Sequence, residues 1–337
     1  MTQFTRRQAL RTLFCASASL ALNIRPRQLE AGEIDISASD QHWLMIGDFG
    51  ALGTTSKQTD VAAAMKSYLA RHKIQPAGQL LLGDNFYGKM EGGVTSSRWK
   101  SGFEDMYPAS VFPGPCPVVL GNHDYHDNFN GDQVQLEYAR LNPKSRWTLP
   151  SKWYRFELPK SQPLVSFICV DTNLPSISGA FSTKLGKLLN SLTKADEEAQ
   201  LNWLKAELAK STAPFKVVVG HHPLYSNGAH GDSKSLITQW GGLFEKHGVH
   251  AYLCGHDHDL QHLELEGLKT SFVISGGGGA KLREIKSQRP ARFAKSVYGF
   301  THLQVSRERM LLRHIDPTGT QLHAFEKRLD FKVEVLG

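Results

Sequence analysis

Five short apolar runs in this chain of 337 residues each stop at a glycine followed at once by Asp, Asn or His. Trp43-Leu44-Met45-Ile46 leads into Gly47-Asp48-Phe49-Gly50, and Leu80-Leu81-Leu82 into Gly83-Asp84-Asn85-Phe86-Tyr87. Pro117-Val118-Val119-Leu120 leads into Gly121-Asn122-His123-Asp124. Lys216-Val217-Val218-Val219 leads into Gly220-His221-His222-Pro223, and His250-Ala251-Tyr252-Leu253-Cys254 into Gly255-His256-Asp257-His258. A short apolar run cut off at Gly is the pattern of a buried strand. Strands that all end in metal-competent side chains predict a sheet whose carboxyl edge carries the functional site.

The gaps between these runs read as helices. Gln58 to Arg71 places Val61, Met65, Tyr68 and Leu69 on one side. Asp196 to Lys210 has Leu201, Leu204 and Leu208 at helical spacing, with acids early and Lys late, as the helix dipole favours. Leu236 to Lys246 is a weaker third helix. Beyond Phe272 the pattern returns to strands at Phe272–Ser275, His302–Val305 and Met310–Ile315. Asp316-Pro317-Thr318-Gly319 joins the last of these to Gln321–Glu326 as a hairpin. Ser275-Gly276-Gly277-Gly278-Gly279 lacks the strand–turn–helix setting of a phosphate-binding loop. With no internal repeat and no low-complexity linker, residues 40–330 are expected to form a single α/β domain.

A chain that is 40% hydrophobic and 21% charged is neither wholesale disordered nor a polytopic membrane protein. No stretch offers the ~18 apolar residues of a membrane span. The net charge of +7 invites a nucleic-acid reading, but Arg6, Arg7, Arg11, Arg25 and Arg27 against Glu30 give residues 1–31 a net +4 of it. The remaining +3 is mild, and no Lys/Arg run with interleaved aromatics follows, so no nucleic-acid partner is expected. Thr5-Arg6-Arg7-Gln8-Ala9-Leu10 ahead of the modest apolar stretch Leu13 to Leu22 reads as a signal rather than a span. It resembles a twin-arginine export signal, the bland alternative being a disordered leader. Residues 1–31 thus imply export machinery as a partner and a periplasmic or secreted location, with cleavage after Ala21 or Ala31. Losing Cys15 leaves Cys116, Cys169 and Cys254, with no C-x-x-C pair, and these are expected to be core thiols.

The candidate ligands, in order, are Asp48, Asp84, Tyr87, Asn122, His221, His256 and His258. Singly each has an ordinary explanation, such as a helix cap or a hydrogen-bonded core imidazole. Jointly they do not, because independent strand ends would have to produce the same chemistry by accident. Carboxylate, amide oxygen and imidazole suit Fe, Mn and Zn, and no thiolate favours a closed structural zinc site. Seven donors, one a bridging carboxylate, are enough for two ions and too many for one. Two ions ~3.5–4 Å apart serve in-line displacement at phosphorus, holding the nucleophile, the phosphate and the leaving oxygen.

At these residues the sequence resembles the calcineurin-like metallophosphoesterases, and within them the small, tartrate-resistant type of purple acid phosphatase, over roughly Trp43 to Ile315. Most of that superfamily carries His two positions after the first Asp; here Gly50 stands there, and Tyr87 follows Asp84 by three positions. Trading an imidazole for a phenolate is the purple pattern. The resemblance implies a four-layer α/β/β/α sandwich, two mixed sheets flanked by helices, which is the metallo-dependent phosphatase fold. It assigns Asp48, Tyr87 and His258 to Fe(III), and Asn122, His221 and His256 to a divalent ion (Fe, Zn or Mn), with Asp84 bridging. His123 and His230 match family positions that face the phosphate, one or both protonating the leaving alkoxide. His222 and His126 match no ligand role and are expected to support the ligands or line the pocket, and Asp124 and Asp257 are expected to orient imidazoles.

The function so implied is an acid phosphatase that hydrolyses phosphate monoesters of small molecules or proteins. A hydroxide on Fe(III) attacks phosphorus while the divalent ion binds a phosphate oxygen, in mild acid. The alternative is a phosphodiesterase or nucleotidase of the same superfamily using Mn or Zn, against which the Tyr-for-His swap weighs. Asn142 to Lys160, with Trp147, Trp153 and Tyr154, is expected to line or shield the rim of the pocket.

Overall fold

Each of the five apolar runs lies in or overlaps a buried strand in the computed structural model, which describes residues 36–37, 40–51, 53, 56–177 and 191–337. The expected leader at 1–31, Cys15 included, lies outside the described residues. In chain order the strands are β1 (Gln41–Ile46), β2 (Gly78–Leu82), β3 (Cys116–Val119), β4 (Trp147–Thr148), β5 (Tyr154–Leu158), β6 (Val165–Cys169) and β7 (Phe215–Val219). They continue as β8 (Ala251–Cys254), β9 (Leu260–Leu263), β10 (Ser271–Ser275), β11 (Phe293–Lys295), β12 (Phe300–Val305), β13 (Arg309–Ile315), β14 (Gln321–Arg328) and β15 (Val333–Val335).

One sheet has the order β15-β14-β13-β12-β1-β2-β3-β4 and the other β11-β9-β10-β8-β7-β6-β5. Both are mixed. β1 to β4 run parallel, as do β6, β7, β8 and β10, whereas β12 to β15 pair antiparallel. Parallel strands covered on both faces must be apolar on both, which is why they show as unbroken runs rather than as alternation. The sheets meet face to face, with the Trp43 ring of β1 5.9 Å from that of Phe156 and 5.4 Å from that of Phe167.

Helices cover the outer faces. They are α1 (Gln58–His72), α2 (Asn122–His126), α3 (Gly131–Leu141), α4 (Lys194–Lys210) and α5 (Gly242–His247). Tyr68 of α1 hydrogen-bonds His302 of β12 at 2.9 Å. Leu204 and Leu208 of α4 and Phe244 of α5 share one core with Ile168, Val218 and Tyr252 of the second sheet. The layers are therefore helix, sheet, sheet, helix, as expected. Thr193 and Asp196 form a reciprocal capping box that starts α4. The expected helix Leu236–Lys246 is present within a continuous helical run of Lys234–Leu236, a wide turn at Ile237–Gly241, and α5. The Gly241-Gly242 pair, poor in helix propensity, sits at that wide turn, whose added residue resets the helical phase and keeps Leu236, Trp240 and Phe244 all buried.

Cys116, Cys169 and Cys254 are buried free thiols, and burial pushes those of Cys116 and Cys169 up to about 12. No described helix is long and apolar enough to cross a membrane. The stretch from Asn142 lines a pocket against α3 through Asn142, Trp147 and Trp153, and none of the seven candidate donors lies in that lining. Trp147 is buried against Phe86, Trp99 and Phe103, and the Tyr154 hydroxyl accepts from Val118 N and donates to Val118 O. Large aromatics gain most from full burial, so these rings brace the β2 and β3 loops from behind.

Candidate metal centre

The carboxyl ends of β1, β2 and β3 abut those of β7, β8 and β10. Gly47 N donates to Ser275 O at 2.7 Å, Asp48 N to Gly83 O at 3.0 Å, and Gly255 N to His221 O at 3.1 Å. Three strand ends turn through a left-handed residue: φ is 57° at Asp48, 51° at Asp84 and 71° at His256. For a side-chain-bearing residue that conformation costs about 1–2 kcal/mol, and a packed framework must hold it. Gly83 adopts φ 88°, and a Cβ there would meet His221 Nδ1 at 2.5 Å. Only glycine lets the β2 backbone pass that imidazole.

All seven candidate donors fall in one connected set. On one flank Tyr87 Oη lies 3.0 Å from Asp84 Oδ2, 3.2 Å from Asp48 Oδ1 and 3.2 Å from His258 Nε2. On the other, His221 Nε2 lies 3.1 Å from Asn122 Oδ1, 3.2 Å from His256 Nδ1 and 3.4 Å from Asp84 Oδ1. Asp84 turns one oxygen to each flank.

Counting protons shows what the set needs. His221 Nδ1 donates to Leu82 O at 2.9 Å and His258 Nδ1 to Lys281 O at 2.6 Å, since a carbonyl only accepts. Each therefore turns the lone pair of Nε2 inward. The His221 lone pair faces the oxygens of Asn122 and Asp84. The His258 lone pair, with two carboxylates, competes for the single Tyr87 proton. Donor atoms 3.0–3.4 Å apart are also those of ligands sharing an ion at ~2.0–2.2 Å. The donor set fits cations.

Electrostatics agree. Burial first, then the Asp84 charge, pushes the Asp48 carboxyl well up. Burial, then Asp84 and Asp48, does the same to the Tyr87 phenol. Burial holds His258 down to about 4, and burial with the neighbouring His222 and His221 holds His256 well below the ordinary imidazole value. Buried anions that resist ionisation and imidazoles that resist protonation are both stabilised by a positive ion among them.

The surrounding residues are placed as follows. His123 N donates to Asp84 Oδ1 at 2.8 Å and its Nδ1 bonds Asp127 Oδ2 at 3.0 Å. Burial opposes the His123 charge, but the hydrogen bond to Asp127 and the nearby carboxylates outweigh it and raise its pKa. His230 bonds Asp257 Oδ1 through both Nδ1, at 2.8 Å, and its backbone N, at 3.0 Å, and its ring stands 4.1 Å from that of His256. Asp257 thus orients an imidazole as expected. Asp124 does not: it accepts from the backbone N–H groups of Asn85, Phe86 and Gly121 and from Gln135, and so ties the β2 loop to the β3 loop. Asp127 does the work expected of Asp124, one helical turn beyond His123. His222, expected as a supporting or pocket residue, brings a third imidazole within 4.8 Å of His221 and His256 and is held by Thr172 at 2.7 Å. The doubled His221-His222 was the available signal. Arg283, reaching the His230 ring from a distant loop, left no signal in the sequence.

The chain matches the calcineurin-like phosphoesterase family over residues 39–260. It is 31% identical over 296 residues to tartrate-resistant acid phosphatase type 5 of Mus musculus, spanning 83% of this chain and 88% of that relative. It is 29% identical over 296 residues to purple acid phosphatase 7 of Arabidopsis thaliana, spanning 83% and 84%. Among solved structures, a purple acid phosphatase from seeds of yellow lupin (Lupinus luteus) shares the fold at TM-score 0.64 and 17% identity, over 87% of this chain and 54% of that one. A Plasmodium protein described as the anchor in the inner membrane complex does so at 0.64 and 24%, over 85% and 88%.

Proposed function

This chain belongs to the calcineurin-like phosphoesterase family and, within it, to the purple acid phosphatases, and from that premise we propose that it hydrolyses phosphate monoesters at a binuclear Fe(III)–M(II) centre, M being Fe, Zn or Mn. Asp48, Tyr87 and His258 would hold the ferric ion, Asn122, His221 and His256 the divalent one, and Asp84 would serve both. The observation that carries this reading is Asp84, whose Oδ2 lies 3.0 Å from Tyr87 Oη and whose Oδ1 lies 3.4 Å from His221 Nε2. The phenol beside two carboxylates supports the harder ion on that flank, and the amide and imidazoles support a borderline divalent ion on the other.

Such a pair of ions supplies a water activated near neutrality and neutralises the phosphate. The chain supplies the rest. His123, fixed through its backbone N on Asp84 and its Nδ1 on Asp127, presents Nε2 as its remaining proton-bearing atom. His230, fixed on Asp257, stands over His256. One or both bind the phosphoryl oxygens and pass a proton to the leaving alkoxide. The same reading extends to a catalytic domain at residues 40–330 behind a leader at 1–31 that directs export to the periplasm or the medium. Arg6-Arg7 ahead of Leu13–Leu22 supports that extension.

The test is to purify the protein from iron-supplemented medium, count metals by mass spectrometry, and compare p-nitrophenyl phosphate with bis-p-nitrophenyl phosphate across mildly acid to neutral pH. Two ions per chain and preferred turnover of the monoester in acid are expected. Full metal occupancy with no monoester turnover, or a preference for the diester, would overturn the reading.

A further inference from the structure

We propose that Arg283 binds a second anionic group on the alcohol portion of the substrate, so that the enzyme favours monoesters whose leaving alcohol carries a carboxylate or another phosphate a few bonds from the ester oxygen. This inference rests on the phosphomonoesterase reading above.

After β10 the chain crosses four glycines and returns over the donor cluster. Ala280 N donates to Asp48 O at 2.8 Å, and Lys281 O accepts from His258 Nδ1 at 2.6 Å. Farther on, Lys286 N bonds Asn227 O at 2.7 Å, and Arg289 grips both oxygens of Asp232 at 2.7 and 2.5 Å. Arg283 lies between these ties, its Nη1 against the ring nitrogens of His230. Arg283 is partly exposed, and its charge acts on Asp48, Tyr87, His256 and His258, which places it beside the centre.

Among the described residues no carboxylate lies within ion-pair distance of Arg283, whereas Arg289 has Asp232. Residues 281–295 hold Lys281, Arg283, Lys286, Arg289, Arg292 and Lys295 against Glu284 alone, a positive wall along this side. Two ions balanced by two carboxylates and one phenolate leave the centre positive. A guanidinium beside it is repelled unless an anion stands between them. The scissile phosphate would be claimed by the ions, and His230, rather than His123, is here assigned to the side on which the alcohol departs. The anion that Arg283 meets is therefore on the alcohol. A guanidinium fork matches a carboxylate or phosphate two oxygens at a time.

The probes are 2-phosphoglycolate and ethyl phosphate, which differ by a carboxylate in place of a methyl group. The metal-loaded wild type should favour phosphoglycolate in kcat/KM by roughly 10–100-fold, the range of a charge-assisted hydrogen-bonded pair. In Arg283→Gln the ratio should fall to within about threefold of unity, and Arg283→Lys should keep part of it. A wild type without preference overturns the proposal. So does a parallel fall for both esters in Arg283→Gln with the ratio intact, which would make Arg283 only a positioning residue for His230. Titration calorimetry of both esters reads the same ratio without turnover. A binding preference lost in Arg283→Gln, in a protein that hydrolyses neither ester, would leave this inference standing and sink the hydrolytic one. Equal binding would sink both.

Discussion

Replacing Tyr87 by Phe removes one oxygen and little else. The ring keeps its packing on His123, with centroids 4.2 Å apart, while the hydroxyl shared among Asp84 Oδ2, Asp48 Oδ1 and His258 Nε2 disappears. In the metal-free protein that hydroxyl is a donor facing Asp84 Oδ2, Asp48 Oδ1 and His258 Nε2. Its loss orphans a buried acceptor at about 1–3 kcal/mol. Taking ~2 kcal/mol and roughly 2–4 °C per kcal/mol for a domain of this size, metal-free Tyr87→Phe should melt roughly 4–8 °C below the metal-free wild type. In the iron-loaded protein the phenolate-to-Fe(III) charge transfer has no source, so visible absorption should vanish. Calorimetric melts of both metal-free proteins, and spectra at matched iron content, check the two halves. An unchanged visible band at full iron occupancy would refute the placement of Tyr87 on iron. Identical metal-free melts would refute the proton accounting around it.

Asp127→Asn weakens the hold on His123 Nδ1, so kcat should fall roughly 10–100-fold with metal content unchanged by mass spectrometry; lost metal would place Asp127 in the frame of the centre instead. Gly83→Ala forces a Cβ to 2.5 Å from His221 Nδ1 at φ 88° and should destabilise the fold by at least about 3 kcal/mol, which a wild-type melting curve would contradict. Acid should also weaken the interface between the two sheets. There burial, then neighbouring histidine charge, lowers His314 to about 3 and His323 to about 4. Both stay neutral in the fold while an unfolded imidazole binds a proton near 6.5, so their contribution is whole above pH 6.5 and shrinks as pH falls toward 4. At about 1.4 kcal/mol per pH unit for each, roughly 4 kcal/mol is gone by pH 5. Urea midpoints at pH 7 and 5 should show that loss, and His323→Gln should take about half of it away; a midpoint independent of pH would refute it.

The strands that carry the site were legible because they are buried on both faces, and burial on both faces leaves an unbroken apolar run in the chain. The glycine after each run was legible too, since the backbone must turn left-handed or pass close to a donor there. Short edge strands such as β4 and β11 were not, because two or three residues paired to a distant strand carry no periodicity. The supporting contacts were hidden for a related reason. Asp124 and Asp127 are both acids just after the same motif, and only the direction in which α2 leaves β3 decides which meets His123 and which meets the β2 loop. Arg283 and His230 are 53 positions apart, and their meeting depends on how the loop after β10 is tied to Asn227 and Asp232. His222 was visible as a letter but not as a neighbour of His256, which depends on where the ends of β7 and β8 lie in space.

The seven donors are drawn from both sheets, and the outermost are Asp48 and His258. No fragment shorter than that interval holds the full complement, and neither half of the sandwich can gather it alone. The full donor set is therefore complete only where the ends of both sheets meet. A fragment that ends within that interval lacks at least one of the seven donors.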